Sequence, residues 1–426
     1  VPSLYFAQGI PYVVVMSVAV ILFKRMGMSN TDIALYTSGL NLPWVIKPLW
    51  SPLVDLLKTK RWWIVVMQIL VGAGLAGIAL TIQGPLAFRY CLAFMWLLAF
   101  SSATHDIAAD GFYMLGLNEK KQAYFVGIRN TFYRFAVIFG QGILVMFAGW
   151  LEQRYAREMP ETAAIPQAWS LTFYLLTILF ALLFVYHYLF LPHPRRDTCT
   201  LPPQQASAGR VFKEFLGTFT SFFQKKHIVS ALIFILLYRF AEAQLVKITS
   251  PFLLDSPAPG GLALSTAEVG FIYGTIGVIA LTIGGIVGGI AMARRGLKSC
   301  LWTMTIAMNL PNIVYLYLSF ARPESIGIIS GCVAIEQFGY GFGFTSLTYF
   351  MMLFSNGKHQ TAHYAICTGF MALGLMLPGM ISGWIEESIG YRAFFVWIML
   401  CTIPSFWATH LVRKNLTDNH SDNSSR

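Results

Sequence analysis

Two aspartates, Asp106 and Asp110, lie four residues apart in an otherwise apolar stretch, which puts them on one face of a helix. Carboxylates that close repel one another, so a proton is easily held between them and their titration is coupled. That is chemistry for moving a proton, because protonation changes the charge of a buried face and can bias a protein between two conformations. Other ionisable residues recur in similarly apolar surroundings: Lys47, Arg129, Arg134, Arg239, Glu242, Lys247 and Glu336. Arg239 and Glu242 are three apart and can pair. Glu336 shares a helix face with Tyr340, and Gln8 shares one with Tyr12.

The stretches that carry these residues are long. Apolar runs fall near 3–23, 32–56, 62–83, 87–117, 124–151 and 167–191, then near 227–254, 265–293, 298–320, 325–354, 361–385 and 391–412. Composition agrees with so many: of 426 residues, 56% are hydrophobic and only 12% charged, against about 25% charged in a soluble domain. At roughly 20 apolar residues per membrane span, the chain can furnish about twelve. The expected fold is all-α and integral to a membrane, with twelve transmembrane helices in two six-helix pseudo-repeats. Ionisable groups in mid-span cost roughly 3 kcal/mol each and usually face a partner or a watery cavity. Structural ion pairs, Asp106 against Arg134 for example, are the plainer explanation for any one of them. Such glue would not gather on the first, fourth, seventh and tenth spans.

Lys and Arg set the orientation. With the N-terminus inside, seventeen fall in inner loops (Lys58 and Arg61, the run Arg195–Lys226, Arg294 and Arg295 among them) and seven in outer loops, among them Lys24, Arg25, Arg154 and Arg322. Both termini are expected to be cytoplasmic, and a short N-terminal piece is expected to precede Val1. The division reads as a six-helix half over 1–191, a cytoplasmic linker over 192–226, a second half over 227–413 and a disordered tail over 414–426. Within the linker, Val211, Phe212, Phe215, Leu216, Phe219, Phe222 and Phe223 recur at helical spacing between basic residues, as an amphipathic surface helix would. A faint repeat supports the duplication: Ser29-x-x-Asp32 and Ser265-x-x-Glu268 are capping boxes opening the second and eighth spans. Gly284/Gly288 and Gly285/Gly289 form interleaved GxxxG pairs suited to close helix packing.

Several other chemistries are excluded or weak. The six cysteines are scattered with no C-x-x-C pair, so neither disulfides nor zinc is indicated. His359 and His363 are four apart but lack a nearby carboxylate or Cys, and no metal or other cofactor is expected. The net charge of +11 sits in short clusters between apolar runs rather than on a nucleic-acid face. Gly339-Tyr-Gly-Phe-Gly343 matches a dinucleotide loop only as text, and neither a GxSxG elbow nor HExxH is present. An enzyme is therefore not expected.

The runs IKPLWSPLVD (46–55), SSATHDIAADGFY (101–113), TFYRFAVIFGQG (131–142), LLYRFAEA (236–243), STAEVGFIYGTIG (265–277), AIEQFGYGFG (334–343) and SGWIEESIGY (382–391) resemble, in order, those of AmpG-type muropeptide permeases of the major facilitator superfamily. The resemblance covers essentially the whole chain. It implies proton-powered uptake of anhydro-muropeptides across a bacterial inner membrane by alternating access around a central cavity. Lys47, Asp106, Asp110, Arg134, Glu242 and Glu336 match the family's polar positions. His105, Lys247 and the basic lining near Arg239 depart from it, which leaves bare amino sugars, siderophores, acyl-CoA and other anionic solutes open as cargo. A multidrug exporter of the same fold would favour a nearly uncharged cavity.

On this reading Asp106 and Asp110 carry or gate the proton, with Glu242 and Glu336 as second carriers. Lys47, Arg134 and Arg239 would hold cargo carboxylates, and Gln8, Tyr12, Tyr238 and Tyr340 would hydrogen-bond to and stack on sugar rings. The expected partners are a small-molecule substrate, protons and membrane lipid, with no nucleic acid and a monomeric chain.

Overall fold

The structure is a computed structural model that describes residues 1–117, 119–193, 197, 217, 219–356 and 360–418. Every regular element among the described residues is helical. In chain order these are α1 (Pro2–Arg25), α2 (Asn30–Gly39), α3 (Leu42–Leu57), α4 (Lys60–Thr81), α5 (Ala87–Gly116), α6 (Glu119–Val137), α7 (Leu144–Tyr155) and α8 (Glu161–Phe190). They continue as α9 (Ile228–Leu237), α10 (Phe240–Leu254), α11 (Thr266–Val269), α12 (Val278–Asn309), α13 (Ile313–Ala321), α14 (Ile326–Phe354), α15 (Gln360–Leu400) and α16 (Ile403–Asp418).

Two of these, α12 and α15, are too long for one crossing and turn sharply inside. Gly296 (φ 72°, ψ 166°) breaks α12 and Gly390 (φ 76°, ψ 162°) breaks α15. A positive φ of this kind is open to glycine at little cost, and both breaks fall where the hydropathy pattern places a loop between spans. Among the described residues, eight helical stretches are long and apolar enough to cross a membrane, including Thr266–Ala321 and Ala362–Asn415, each of which contains one of these breaks. Large apolar side chains stand outward from them: Leu80, Ile178, Leu182, Trp384 and Ile403 are each at least 60% exposed. In water such a surface would be unfavourable, whereas against lipid tails it costs nothing.

The described residues group into two compact units. One comprises Val1–Ser29, Gly39–Pro203 and Leu264–Thr275; the other comprises Asn30–Ser38, Gln204–Ala263 and Ile276–Arg426. Leu4, Val54, Ile64, Ala108, Ala109 and Phe112 form an apolar cluster in the first. The core of the second includes Phe234, Tyr238, Leu301, Met304, Leu347 and Ile366. The amphipathic helix expected over 211–223 falls mostly outside the described residues, as does His359. Its described end packs inward: Phe222 is fully buried and meets Phe354, His363 and Phe370. The Ser265 capping box is closed, the Ser265 hydroxyl accepting from Glu268 N while Glu268 accepts from Ser265 N.

Candidate functional site

In the first unit, the face of α1 carrying Tyr5 and Gln8 meets the face of α5 carrying Asp106 and Asp110. The aspartates do not share a partner. Lys47 of α3 and Gln8 both donate to Asp106. Asp110 accepts from the Tyr5 hydroxyl at 3.0 Å and lies 3.2 Å from the Arg129 guanidinium of α6. Arg129 also stacks over Tyr5 and Tyr113, its guanidinium carbon 4.6 and 5.6 Å from the ring centroids. The ion pairing offered by sequence, Asp106 with Arg134, is thus replaced by Lys47–Asp106 and Arg129–Asp110. Spacing along one chain fixes which residues share a helix face, not which neighbouring helix that face meets. These side chains remain reachable, at 22% exposed for Lys47, 21% for Asp106 and 34% for Asp110.

Arg134 is half-buried and forms no ion pair among the described residues. Tyr12 packs edge-on against Trp44, with centroids 5.3 Å apart, and lies 6.3 Å from Tyr133. His105 joins a separate buried set: its Nε2 is 3.1 Å from Gln68 Nε2, Gln68 reaches His187, and His187 Nε2 is 3.0 Å from Ser3 Oγ. That set ties α1, α4, α5 and α8 together behind the aspartates.

In the second unit, Arg239 occupies the joint between α9 and α10, with φ −105° and ψ 18°. This sparsely populated backbone region is one that functional residues often occupy. The guanidinium binds Glu242 through two contacts, 2.8 Å from Nε and 3.1 Å from Nη2, and donates to the Tyr340 hydroxyl at 2.8 Å. Glu336 is 4% exposed and has a different environment. Its carboxyl accepts from the Tyr315 hydroxyl at 3.2 Å and the Gln337 amide at 2.9 Å, and no cation lies within ion-pair distance among the described residues. Lys247 is buried at 2% exposure and takes part in no ion pair among the described residues. Tyr238 is fully buried, its hydroxyl occupied by Gly343 O at 3.1 Å and Ser346 Oγ at 2.8 Å.

Three residues that sequence reasoning did not single out as site residues belong to these clusters: Tyr5, Arg129 and Tyr315. Tyr5 was findable, since it precedes Gln8 and Tyr12 by three and seven residues on one face. Arg129 and Tyr315 act through contacts between helices, which spacing does not report. No group of three or more His, Cys, Asp and Glu suited to a metal occurs among the described residues.

The profile of the Major Facilitator Superfamily matches residues 3–357. The putative transporter AmpG 4 of Rickettsia conorii is 25% identical over 411 residues, covering 94% of this chain and 92% of the relative. The anhydromuropeptide permease of Escherichia coli is 24% identical over 418 residues, covering 96% and 78% respectively. Among solved structures, a variant of the nucleoside transporter NupG superposes with a TM-score of 0.71 at 15% identity, covering 96% of this chain and 98% of that one. A D-xylose–proton symporter superposes with a TM-score of 0.67 at 13% identity, covering 96% and 94%.

Proposed function

The chain belongs to the Major Facilitator Superfamily and is a multi-pass, non-enzymatic membrane transporter, and from that premise we propose that it imports anionic cell-wall fragments of the anhydro-muropeptide class, driven by the proton gradient. The proposed setting is a bacterial inner membrane, with twelve spans and both termini in the cytoplasm. Similarity along nearly the full length to an anhydromuropeptide permease supports the cargo class. Within the site, the observation that carries the reading is the contrast between Glu336 and the three other carboxylates read as proton carriers. Asp106, Asp110 and Glu242 each face a cation, whereas among the described residues Glu336 faces a phenol and an amide.

A carboxylate beside a cation is held in its charged form, whereas one buried away from any cation has only neutral hydrogen bonds to set against the cost of desolvation. Glu336 is therefore the residue that takes up and gives back the coupling proton. This reorders the expectation that placed Asp106 and Asp110 first. In their place, the Lys47–Asp106 and Arg129–Asp110 pairs receive cargo: a carboxylate on the solute competes with the aspartate for the cation, and the aspartate is freed toward sugar hydroxyls. Arg134 supplies a further cation, and Gln8 and Tyr12 border the same face. In the second unit Arg239, held by Glu242 and Tyr340, is poised for the same exchange.

A second reading, import of a different anionic solute, draws on Lys247, a buried ammonium outside the ion pairs described. The test is uptake of radiolabelled anhydro-muropeptide, free MurNAc and a ferric siderophore into vesicles under an imposed pH gradient. Gradient-dependent accumulation of the muropeptide is the expected result, and accumulation of only one of the others would move the cargo assignment. Glu336→Gln is expected to abolish gradient-driven accumulation while leaving cargo exchange at equal pH intact. Loss of both activities together would remove Glu336 from the proton path.

A further inference from the structure

Where α9 begins and α14 and α16 end, the second unit encloses a cavity of about 110 Å³. Its walls are of two kinds. Ala231, Phe350, Phe354 and Val412 make an apolar floor, whereas Lys226, His227, Ser230 and Asn415 supply the polar groups. Among the described residues no carboxylate lines it. The chain segments that meet there are basic, with Lys225 and Lys226 just ahead of α9 and Arg413 and Lys414 just ahead of Asn415 in α16.

The two lysines have different surroundings. Lys225 Nζ donates to Phe354 O at 2.7 Å and to Asn356 O at 2.8 Å, so it serves carbonyls left open at the end of α14. Lys226 lines the cavity and is exposed. On the polar side, Asn415 Nδ2 donates to Ser230 Oγ at 2.7 Å, and Ser230 Oγ donates to His227 O at 2.9 Å. Those bonds fasten the end of α16 to the start of α9.

His227 is the N-cap of α9, with a left-handed backbone (φ 62°, ψ 24°). Its ring nitrogen Nε2 is buried and meets no hydrogen-bond partner among the described residues. Leaving such an atom unmatched costs free energy, and a ligand that offers an acceptor to Nε2–H removes the cost. No side chain caps the first turn of α9, and the open N–H groups of a helix start favour negative charge.

A cation, a buried ring nitrogen and an uncapped helix start all select an anion. The apolar floor selects against an inorganic one, which would shed its water to lie on phenylalanine and gain nothing there. An amphiphile matches both walls. We propose that the cavity is a site for an anionic phospholipid, with its phosphate against Lys226 and His227 Nε2 and its first acyl carbons on Phe350, Phe354 and Val412. The cavity is too small for a whole lipid, but apolar surface continues outward from it. Leu353, which also lines it, is 40% exposed, and Val229 in the first turn of α9 is 67% exposed. By the distribution of Lys and Arg this is the cytoplasmic end, where anionic lipids draw basic segments to the membrane surface. The inference needs that orientation but no particular cargo or driving ion, so its failure leaves the transport proposal standing.

Native mass spectrometry of the full chain, released from detergent micelles, tests it. The probes are phosphatidylglycerol, phosphatidylethanolamine with the same acyl chains, and inorganic phosphate. One phosphatidylglycerol is expected to be retained in preference to phosphatidylethanolamine, and phosphate not at all. Lys226→Ala is expected to weaken that retention about fivefold, the effect of one cation near an anionic lipid. His227→Asn keeps a residue type that accepts the left-handed backbone but withdraws the ring nitrogen, and is expected to weaken it too. Lys298→Ala, at an exposed lysine outside the cavity, is expected to change nothing. Equal retention of the two lipids, or the same loss in all three variants, would reduce the contact to a general attraction of basic surface and overturn the site. Phosphate held as firmly as phosphatidylglycerol would overturn it as well, by placing a soluble anion there. Should a variant fail to fold, hydrogen–deuterium exchange of the unsubstituted chain takes its place. Phosphatidylglycerol is expected to slow exchange at 226–231 and 412–415, and no slowing there would overturn the site.

Discussion

Tyr315 donates its phenolic proton to Glu336 across 3.2 Å, from α13 to α14, and the Gln337 amide completes the carboxyl's partners at 2.9 Å. Two neutral donors can serve a carboxylate and can also tolerate a carboxylic acid, since each needs to turn only slightly when the proton arrives. Tyr315→Phe is expected to lower gradient-driven uptake severalfold while costing roughly 1 kcal/mol of stability. Initial rates with and without the gradient, set beside thermal unfolding in detergent, check it. A stability loss with undiminished coupling would make Tyr315 a packing residue alone.

The Lys47–Asp106 pair calls for a double-mutant cycle. Removing one member leaves a charge in a partly buried site, whereas removing both leaves none. Lys47→Ala and Asp106→Ala are each expected to destabilise by up to about 3 kcal/mol, and the double variant by clearly less than their sum. Their partial exposure, 22% and 21%, places the values toward the lower end. Additive losses would show that the two side chains do not interact.

Tyr238 separates packing from cargo contact. With its ring fully buried and its hydroxyl on Gly343 and Ser346, Tyr238→Phe is expected to cost about 1 kcal/mol in thermal stability. The cargo concentration for half-maximal uptake is expected to stay unchanged. A severalfold rise in that concentration would return Tyr238 to the cargo-binding set.

Close packing of α12 on α14 gives the fourth test. A Cβ on Gly341 would lie 2.0 Å from Leu281 O, and one on Gly284 would lie 2.1 Å from Phe338 O. Backbone cannot yield as a side chain does, so Gly341→Ala is expected to destabilise by about 2 kcal/mol or more. Gly289→Ala, where no atom lies within 4 Å of the added carbon, is expected to be neutral. Unfolding temperatures of the two variants measured side by side decide the point.

Much of this was legible along the chain. The shortage of charge, the apolar runs and the few ionisable residues within them follow from one-dimensional patterns, because a lipid solvent imposes length and polarity on every segment that enters it. Face-sharing within one helix was legible for the same reason, as with Asp106 and Asp110 or Arg239 and Glu242. Partner choice between helices depended on tertiary structure alone. Lys47 rather than Arg134 meets Asp106, Arg129 meets Asp110, and Glu336 is left with Tyr315 and Gln337. A residue's own helix sets the direction of its side chain, but the charge it meets comes from another helix, and only packing brings the two within hydrogen-bond reach.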